Sequence, residues 1–373
     1  MTRVYFVAGE TSGDVHGSHL IRALREMERE IECEGLGGSH MRAAGMTLHY
    51  DLAGDAIMGF AEVVKHLGKI RRLFHATVER LRSNPPDCLV LIDYPGFNIR
   101  LAQRAKGLGI PVVWYISPQV WAWKRGRIHT LAQCVDQMLV ILPFEEALYR
   151  DAGLACEYVG HPLVDHFAAT DVERRYGDDM VIGILPGSRA QEIDRLLPVM
   201  LEAAAGIRNA HPNARFVTPC VDVAREAQVK SVAREFPLET LVGRPYDVLS
   251  AARFCLVASG TATVETMLHG VPMIILYKVA SMTYWLARWL VRVDHIGMVN
   301  ILAGKRIVPE FIQHDAAPAK VIPAALELIA DSEARRRMIF ELAEVREKVG
   351  GPGASRRAAE SVLAVIRRRR CDG

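Results

Sequence analysis

Short apolar runs alternate along the chain with stretches whose apolar residues recur every three to four positions. Residues 4–8, 88–92, 112–116 and 137–142 read as strands, with helical spacing over roughly 15–30, 61–81 and 99–107. A second series opens at residue 180 and includes strand-like runs at 215–218, 254–258 and 273–276. Strands that are apolar on both faces, joined by helices, predict parallel sheets covered on either side. The segment 168–179 is polar and reads as a linker; after residue 307 the pattern is mostly helical. The chain thus divides into a Rossmann-like domain over 1–167, the linker, and a second Rossmann-like domain over 180–315. A helical segment over 316–373 packs back on the first domain or on a partner subunit. With 373 residues, two domains are also what length favours.

Two strand-to-helix turns of the second series carry the strongest chemical signal. Leu185-Pro-Gly-Ser-Arg-Ala-Gln-Glu192 and Ser259-Gly-Thr-Ala-Thr-Val-Glu265 each follow an apolar run and open a helical pattern. Backbone N–H groups at such a helix start lack partners and sit at the positive end of the helix dipole, which suits phosphate. Gly187 and Ser188, with Ser259, Gly260, Thr261, Ala262 and Thr263, supply the two turns. Arg189 adds a forked donor for phosphate oxygens, and Glu265 is placed to accept from ribose hydroxyls. Either turn alone is also an ordinary connection; as a pair they point to a nucleotide diphosphate.

The first series ends its strands in acids. Ala8-Gly-Glu-Thr-Ser-Gly-Asp14, followed by Val15-His16, crowds Glu10, Asp14 and His16 at one strand end, with Glu10 and Asp14 as candidate catalytic acids and His16 and Ser12 as candidate substrate contacts. Gly9 and Gly13 permit a tight turn and close approach of substrate, while Ser12 or Asp14 is a candidate helix cap. Asp93 ends another strand in Ile92-Asp-Tyr-Pro-Gly-Phe-Asn98, where partial desolvation raises carboxylate basicity and suits a general base. Ser117-Pro-Gln-Val-Trp-Ala-Trp-Lys-Arg-Gly-Arg127 sets Gln119 and Trp121 ahead of three cations. Aromatic faces there fit sugar rings or acyl chains, and a buried aromatic corner is the competing reading.

Composition narrows the class. Half of the residues are hydrophobic and 24% are charged, the balance of a globular enzyme, and a net charge of +3 gives no argument for nucleic acid. The seven cysteines are scattered without a C-x-x-C pair, which fits a reducing cytoplasm and no metal cage. No signal peptide and no bilayer-spanning run is apparent, so attachment to a membrane would be at its surface.

In this order the motifs resemble those of the lipid-A-disaccharide synthases. The resemblance rests on the segments at 8–14, 92–98, 117–123 and 185–189, on Leu142-Pro-Phe-Glu145 and Val159-Gly-His-Pro162, and on Ser259-Gly-Thr-Ala-Thr263 and Asn300-Ile-Leu302. It implies a GT-B fold, two Rossmann-like domains facing across a cleft, and an inverting, metal-independent glycosyltransferase without cofactor. The substrates implied are UDP-2,3-diacylglucosamine and 2,3-diacylglucosamine 1-phosphate, and the products a β-1,6-linked disaccharide and UDP. By the same resemblance Asp93 is the base, Arg189 and Glu265 contact UDP, Asn300 lines the site, and the enzyme is a homodimer at the inner membrane of a Gram-negative cell. One departure is Gly96, where some relatives carry a second acid; Glu10 is then the alternative base.

Two other functions compete. A UDP-N-acetylglucosamine 2-epimerase shares the architecture but needs no acceptor. A membrane-bound nucleotide-sugar sensor gains nothing from Glu10, Asp14 and Asp93. For collection of acylated sugars, the stretch 60–74 sets Phe60, Val63, Val64, Leu67, Ile70 and Phe74 at helical spacing, flanked by Lys65, Lys69, Arg71 and Arg72. This is a candidate membrane-contact helix or an ordinary helix packed on its sheet. Residues 284–292 are a second candidate, and Arg367–Arg370 a possible contact for anionic lipid or a solvated tail.

Overall fold

The computed structural model describes residues 1–55, 60–121, 126–173, 175–279 and 294–372, with only the backbone described at 55, 60–67 and 372. The chain forms two compact units, residues 1–165 with 351–373, and residues 166–350.

The first unit is built on seven parallel strands: β1 (Arg3–Ala8), β2 (Glu32–Gly37), β3 (Thr47–Asp51), β4 (Cys88–Ile92), β5 (Val112–Tyr115), β6 (Gln137–Val140) and β7 (Cys156–Tyr158). Their order across the sheet is β3-β2-β1-β4-β5-β6-β7. Alternate residues of β1 serve opposite layers, as strand geometry requires. Val4, Phe6 and Ala8 pack with Leu20, Ile21 and Leu24 of the helix Thr11–Met27 and with Ala358, Val362 and Ile366 of the last helix, Ala354–Asp372. Tyr5 and Val7 pack with Leu81, Leu101 and Leu131 on the other side. The last helix joins this unit because Asp165 accepts the N–H groups of Ala354 and Ser355 at 3.1 and 3.0 Å, satisfying its first turn.

The second unit has six parallel strands: β8 (Val181–Leu185), β9 (Arg215–Cys220), β10 (Leu238–Val242), β11 (Ala252–Ala258), β12 (Met273–Tyr277) and β13 (Glu310–Ile312). Their order is β10-β9-β8-β11-β12-β13. The polar stretch read as a linker lies inside this unit. Tyr176 is buried against Val181, Val217 and Val248, and Glu173 pairs with Arg244 at 2.8 Å. The helices Pro318–Ile329 and Glu333–Val349 also belong here, the former packing on the helix Ala190–Ala210. Their apolar stripes close the outer layer of the second sheet.

Both sheets reverse strand order once, between β1 and β4 in the first and between β8 and β11 in the second. At such a point the connections leave in opposite directions, and ligands of open parallel sheets bind at the strands' carboxyl ends there.

Candidate active site

Glu10 and Asp93 leave neighbouring strands at the first reversal, where Ala8 pairs in register with Ile92. Asp93 and Tyr94 both hold positive φ, 45° and 49°, a conformation that costs energy for residues with a Cβ. Asn98, fully buried, braces this turn: its amide donates to the carbonyl oxygens of Asp93 at 2.8 Å and Ile92 at 3.3 Å. Pro95 then opens the helix Pro95–Gly107. Burial chiefly, and the Glu10 charge next, push the Asp93 carboxyl up to about 6, against the opposing bond from the Tyr94 backbone. Glu10 itself is exposed.

The other acids and glycines of this turn do different work from that expected. Asp14 is buried, and its carboxylate accepts the N–H groups of Gly38, His40 and Met41 at 2.9, 3.0 and 2.9 Å. It caps the next helix, Ser39–Ala43, with three of its roughly four acceptor positions taken. Its own helix begins at Glu10 without a side-chain cap, so neither Ser12 nor Asp14 serves there; Ser12 is exposed and Gly13 buried. Gly9 is required by Tyr94: a Cβ at residue 9 would lie 2.2 Å from the Tyr94 ring. The close approach is therefore made by protein, not by substrate. His16 lies within electrostatic reach of His161, whose pKa falls to about 3 through burial first and the His16 charge second.

The neighbouring strand β5 ends in another strained residue, Ile116, at φ 64°. The indole N–H of Trp114 donates to its carbonyl at 3.1 Å. Beyond it Gln119 is exposed and Trp121 half-buried, with Trp121 edge-on to Phe144 at 5.3 Å. Lys124 and Arg125 lie outside the described residues.

At the second reversal β8 delivers Gly187, Ser188 and Arg189, and β11 delivers the turn from Ser259 to Thr263; Leu185 and Val257 are in register. The N–H groups expected to be open at the first turn are taken. Glu192 accepts from the backbones of Ser188 and Arg189 at 3.2 and 3.3 Å, and pairs with the Arg189 guanidinium at 3.2 Å. Gly187, at φ 108°, has no room for a Cβ because Glu192 packs against it. Arg189 remains 77% exposed, free to reorient toward an anion. At the second turn the hydroxyls of Ser259 and Thr263 donate to the carbonyls of Ile296 and Gly260 at 3.0 and 2.7 Å. These side chains build the turn. Thr261 is exposed, Ala262 half-buried, and among the described residues no acceptor meets their N–H groups.

Glu265 is half-buried, its carboxyl raised by burial and lowered by the Tyr246 hydroxyl. Asn300 packs inside the second unit. It is fully buried, accepts from Ile307 and Val308 at 2.9 Å each, and donates to Val308 and Glu310 at 2.8 and 2.7 Å. An amide with both ends satisfied this way fastens the loop leading into β13.

A family model of lipid-A-disaccharide synthetases matches residues 4–364. The lipid-A-disaccharide synthase of Syntrophus aciditrophicus is 43% identical, over 99% of both chains. The chain belongs to the lipid-A-disaccharide synthetase family. The corresponding synthase of Nitrosococcus oceani is 41% identical, over 97% of this chain and 96% of its own. The protein is thus an enzyme, a glycosyltransferase of lipid A biosynthesis.

Solved structures identify the architecture. A UDP-GlcNAc 2-epimerase from Neisseria meningitidis bound to UDP-GlcNAc superposes with TM-score 0.66 at 13% identity, over 97% of this chain and all of that one. The calicheamicin glycosyltransferase CalG4 gives 0.62 at 17% identity, over 99% of each chain. Identities this low report fold alone, and the fold is GT-B with added C-terminal helices. The shared fold explains why an epimerase competed as a reading; family membership separates the two.

In the helix Phe60–Ser83 the side chains of Phe60, Val64 and Leu67 lie outside the described residues, as do residues 284–292. Further along, Ile70, Leu73 and Phe74 pack on the core of the first unit, with Phe74 edge-on to Phe97 at 5.4 Å. This end of the apolar stripe is core-facing, because it covers the sheet. Arg71 and Arg72 are exposed, and Lys69 lies 5.2 Å from the Tyr50 ring centre. Among the described residues no helix is long and apolar enough to cross a membrane. The sequence signals quoted Asn98, Glu145 and His161 only as members of motifs and gave them no role of their own. Each is polar and buried, a combination visible only once burial is known.

Proposed function

We propose that the enzyme transfers 2,3-diacylglucosamine from UDP to 2,3-diacylglucosamine 1-phosphate with inversion, forming a β-1,6-linked disaccharide 1-phosphate and UDP. The observation that carries this reading is Asp93, a carboxylate of raised basicity held by a braced, strained turn at the reversal of the first sheet. Its oxygen takes the proton of the attacking sugar hydroxyl while that hydroxyl's oxygen bonds the anomeric carbon. The bond from that carbon to the UDP oxygen breaks, and its electrons leave on the diphosphate. Glu10 sustains the basicity of Asp93 by its charge. Gly96 is exposed with open space around it, so Glu10 and Asp93 are the acids of this turn. His16, Ser12, Gln119 and Trp121 are candidate acceptor contacts.

The diphosphate is proposed to meet Arg189 and the N–H groups of Thr261 and Ala262, with Glu265 receiving ribose hydroxyls. To use the Ser188 and Arg189 backbones as well, it must displace Glu192. Such preorganised donors stabilise the leaving charge by ~3 kcal/mol each in the transition state, and we assign the reaction no metal. Acylated substrates imply work at the inner-membrane surface, as a cytoplasmic, peripherally attached homodimer. UDP release from purified UDP-2,3-diacylglucosamine and 2,3-diacylglucosamine 1-phosphate tests the reading. Release only from UDP-N-acetylglucosamine analogues, or none without magnesium, would overturn it.

A further inference from the structure

Glu145 opens the helix Glu145–Arg150 after β6 and is 1% exposed. One carboxylate oxygen accepts from the Ser117 hydroxyl at 2.5 Å and from the Trp121 indole N–H at 3.1 Å. The other accepts from the Leu142 backbone at 3.3 Å. From the same helix, the Tyr149 hydroxyl donates to the Pro118 carbonyl at 3.4 Å, and Phe144 just before it meets the Trp121 ring. The segment from Ser117 to Trp121 is thereby pinned at both ends and in its middle. It leaves β5, the strand next to β4, with Ile92 and Tyr115 in register, so it lies beside the turn that carries Asp93.

Among the described residues no salt partner accounts for this carboxylate. The groups that face it are Ser117 and Trp121 after β5, Asp93 after β4, Tyr149 on its own helix and Cys156 on β7. None is a cation. Burial first, and the charge of Asp93 as well, push Glu145 up to about 7, against three hydrogen bonds that favour its ionised form. Burying a carboxylate without a cation is costly. A neutral amide or a Leu would anchor an ordinary loop at less cost. The bond to Trp121 also fixes what the indole has left to offer. Its polar N–H is consumed inside the protein, its ring packs perpendicular to that of Phe144, and the residue remains half exposed after the strand next to the one that carries Asp93.

We propose that Glu145 is a positioning residue that presents the Trp121 face to the acyl-sugar acceptor. The proposal rests on the reading of the first unit as acceptor-binding. Trp121 touches the apolar side of the sugar or the start of an acyl chain, and Glu145 acts through it.

Steady-state kinetics with both acyl-sugar substrates test this, using Glu145→Leu, Glu145→Gln, Ser117→Ala, Trp121→Ala and the Glu145→Leu/Trp121→Ala double variant. Glu145→Leu and Trp121→Ala should each raise the acceptor KM roughly tenfold with kcat within about threefold, the mark of a lost binding contact. UDP affinity by calorimetry should not change. The double variant should be no worse than either single one, because two residues in one linkage are non-additive. Glu145→Gln keeps an oxygen for Ser117 and Trp121, and should recover most of the loss.

Additive KM effects, or a fall in melting temperature with unchanged KM, would overturn the assignment. Should Glu145→Leu fail to fold, Ser117→Ala combined with Trp121→Ala gives the same cycle with a smaller perturbation. Asp93→Asn in the same assay keeps the two readings apart. Retained turnover there overturns the base assignment and leaves the Glu145 cycle readable.

Discussion

The Asn98 amide donates to the Asp93 carbonyl at 2.8 Å and so holds a carboxylate-bearing residue in a left-handed conformation. The brace is internal to one turn: five residues separate its ends, and the buried amide also reaches Ile92. A second partner on the same turn makes the geometry over-determined, which is how strain persists at a site.

Asn98→Ala should therefore relax the turn. Losing a buried hydrogen-bond donor and leaving carbonyls unmet costs about 1–3 kcal/mol, readable as a lower melting temperature. The kcat should fall by about tenfold with little change in UDP affinity. Normal kcat in a folded Asn98→Ala protein would show that the turn needs no brace.

Asp93→Asn should lower turnover by at least ~100-fold while UDP still binds. In the wild type, kcat/KM should fall as pH drops below about 6, the value to which burial and Glu10 raise this carboxyl. The same shift sets a stability effect of known sign. A carboxyl whose folded pKa lies above its unfolded one binds protons more tightly when folded, so its contribution worsens as pH rises from about 4 to 6. Asp93→Asn should melt higher than wild type at pH 7.5, and the gap should close toward pH 4. A variant that melts lower at pH 7.5 would contradict this account.

Arg189 and Glu192 should respond oppositely to substitution. Arg189→Ala removes the exposed guanidinium and should weaken UDP binding and slow transfer together. Glu192→Gln keeps a side chain that can accept the Ser188 and Arg189 N–H groups but removes a negative charge from the diphosphate's path. Its UDP affinity should rise severalfold, on the order of 1 kcal/mol for one unfavourable charge near the surface. Calorimetry with UDP decides both, and equal weakening in the two variants would mean that Glu192 belongs to the ligand-bound state.

The outward cations of the helix Phe60–Ser83 give a fourth prediction. Replacing Lys69, Arg71 and Arg72 with Gln should weaken binding to anionic vesicles by about 1 kcal/mol per charge near the surface. High salt should reduce the wild type toward the variant. Activity on detergent-solubilised substrate should persist. Vesicle binding equal to wild type at low salt would remove these three residues from the membrane surface.

The central strands β1, β4, β5, β8, β11 and β12 were legible in the sequence because sheets covered on both faces demand unbroken apolar runs. The turns that follow β1, β4, β8 and β11 were legible too, since glycine, proline and hydroxyl residues mark a chain leaving a strand for a helix. The outer strands were not. β2 carries Glu32, Glu34 and two glycines, β3 carries Thr47, His49 and Asp51, β10 carries Glu239 and Thr240, and β7 and β13 have only three residues each. Their place comes from pairing with a neighbour already formed.

Side-chain roles depended most on tertiary structure. Glu145 and Glu146 are adjacent and chemically identical, yet the first is buried against Ser117 and Trp121 while the second pairs with Arg150 at 2.8 Å on the outside of the same helix. Asp14, read as a catalytic acid, spends its carboxylate on backbone 24 to 27 residues away. Local pattern determines which segments form strands and where they turn, because those preferences act over a few residues. Which acid is desolvated, charged or capped depends on groups that only the packed sheet order brings within a few ångströms.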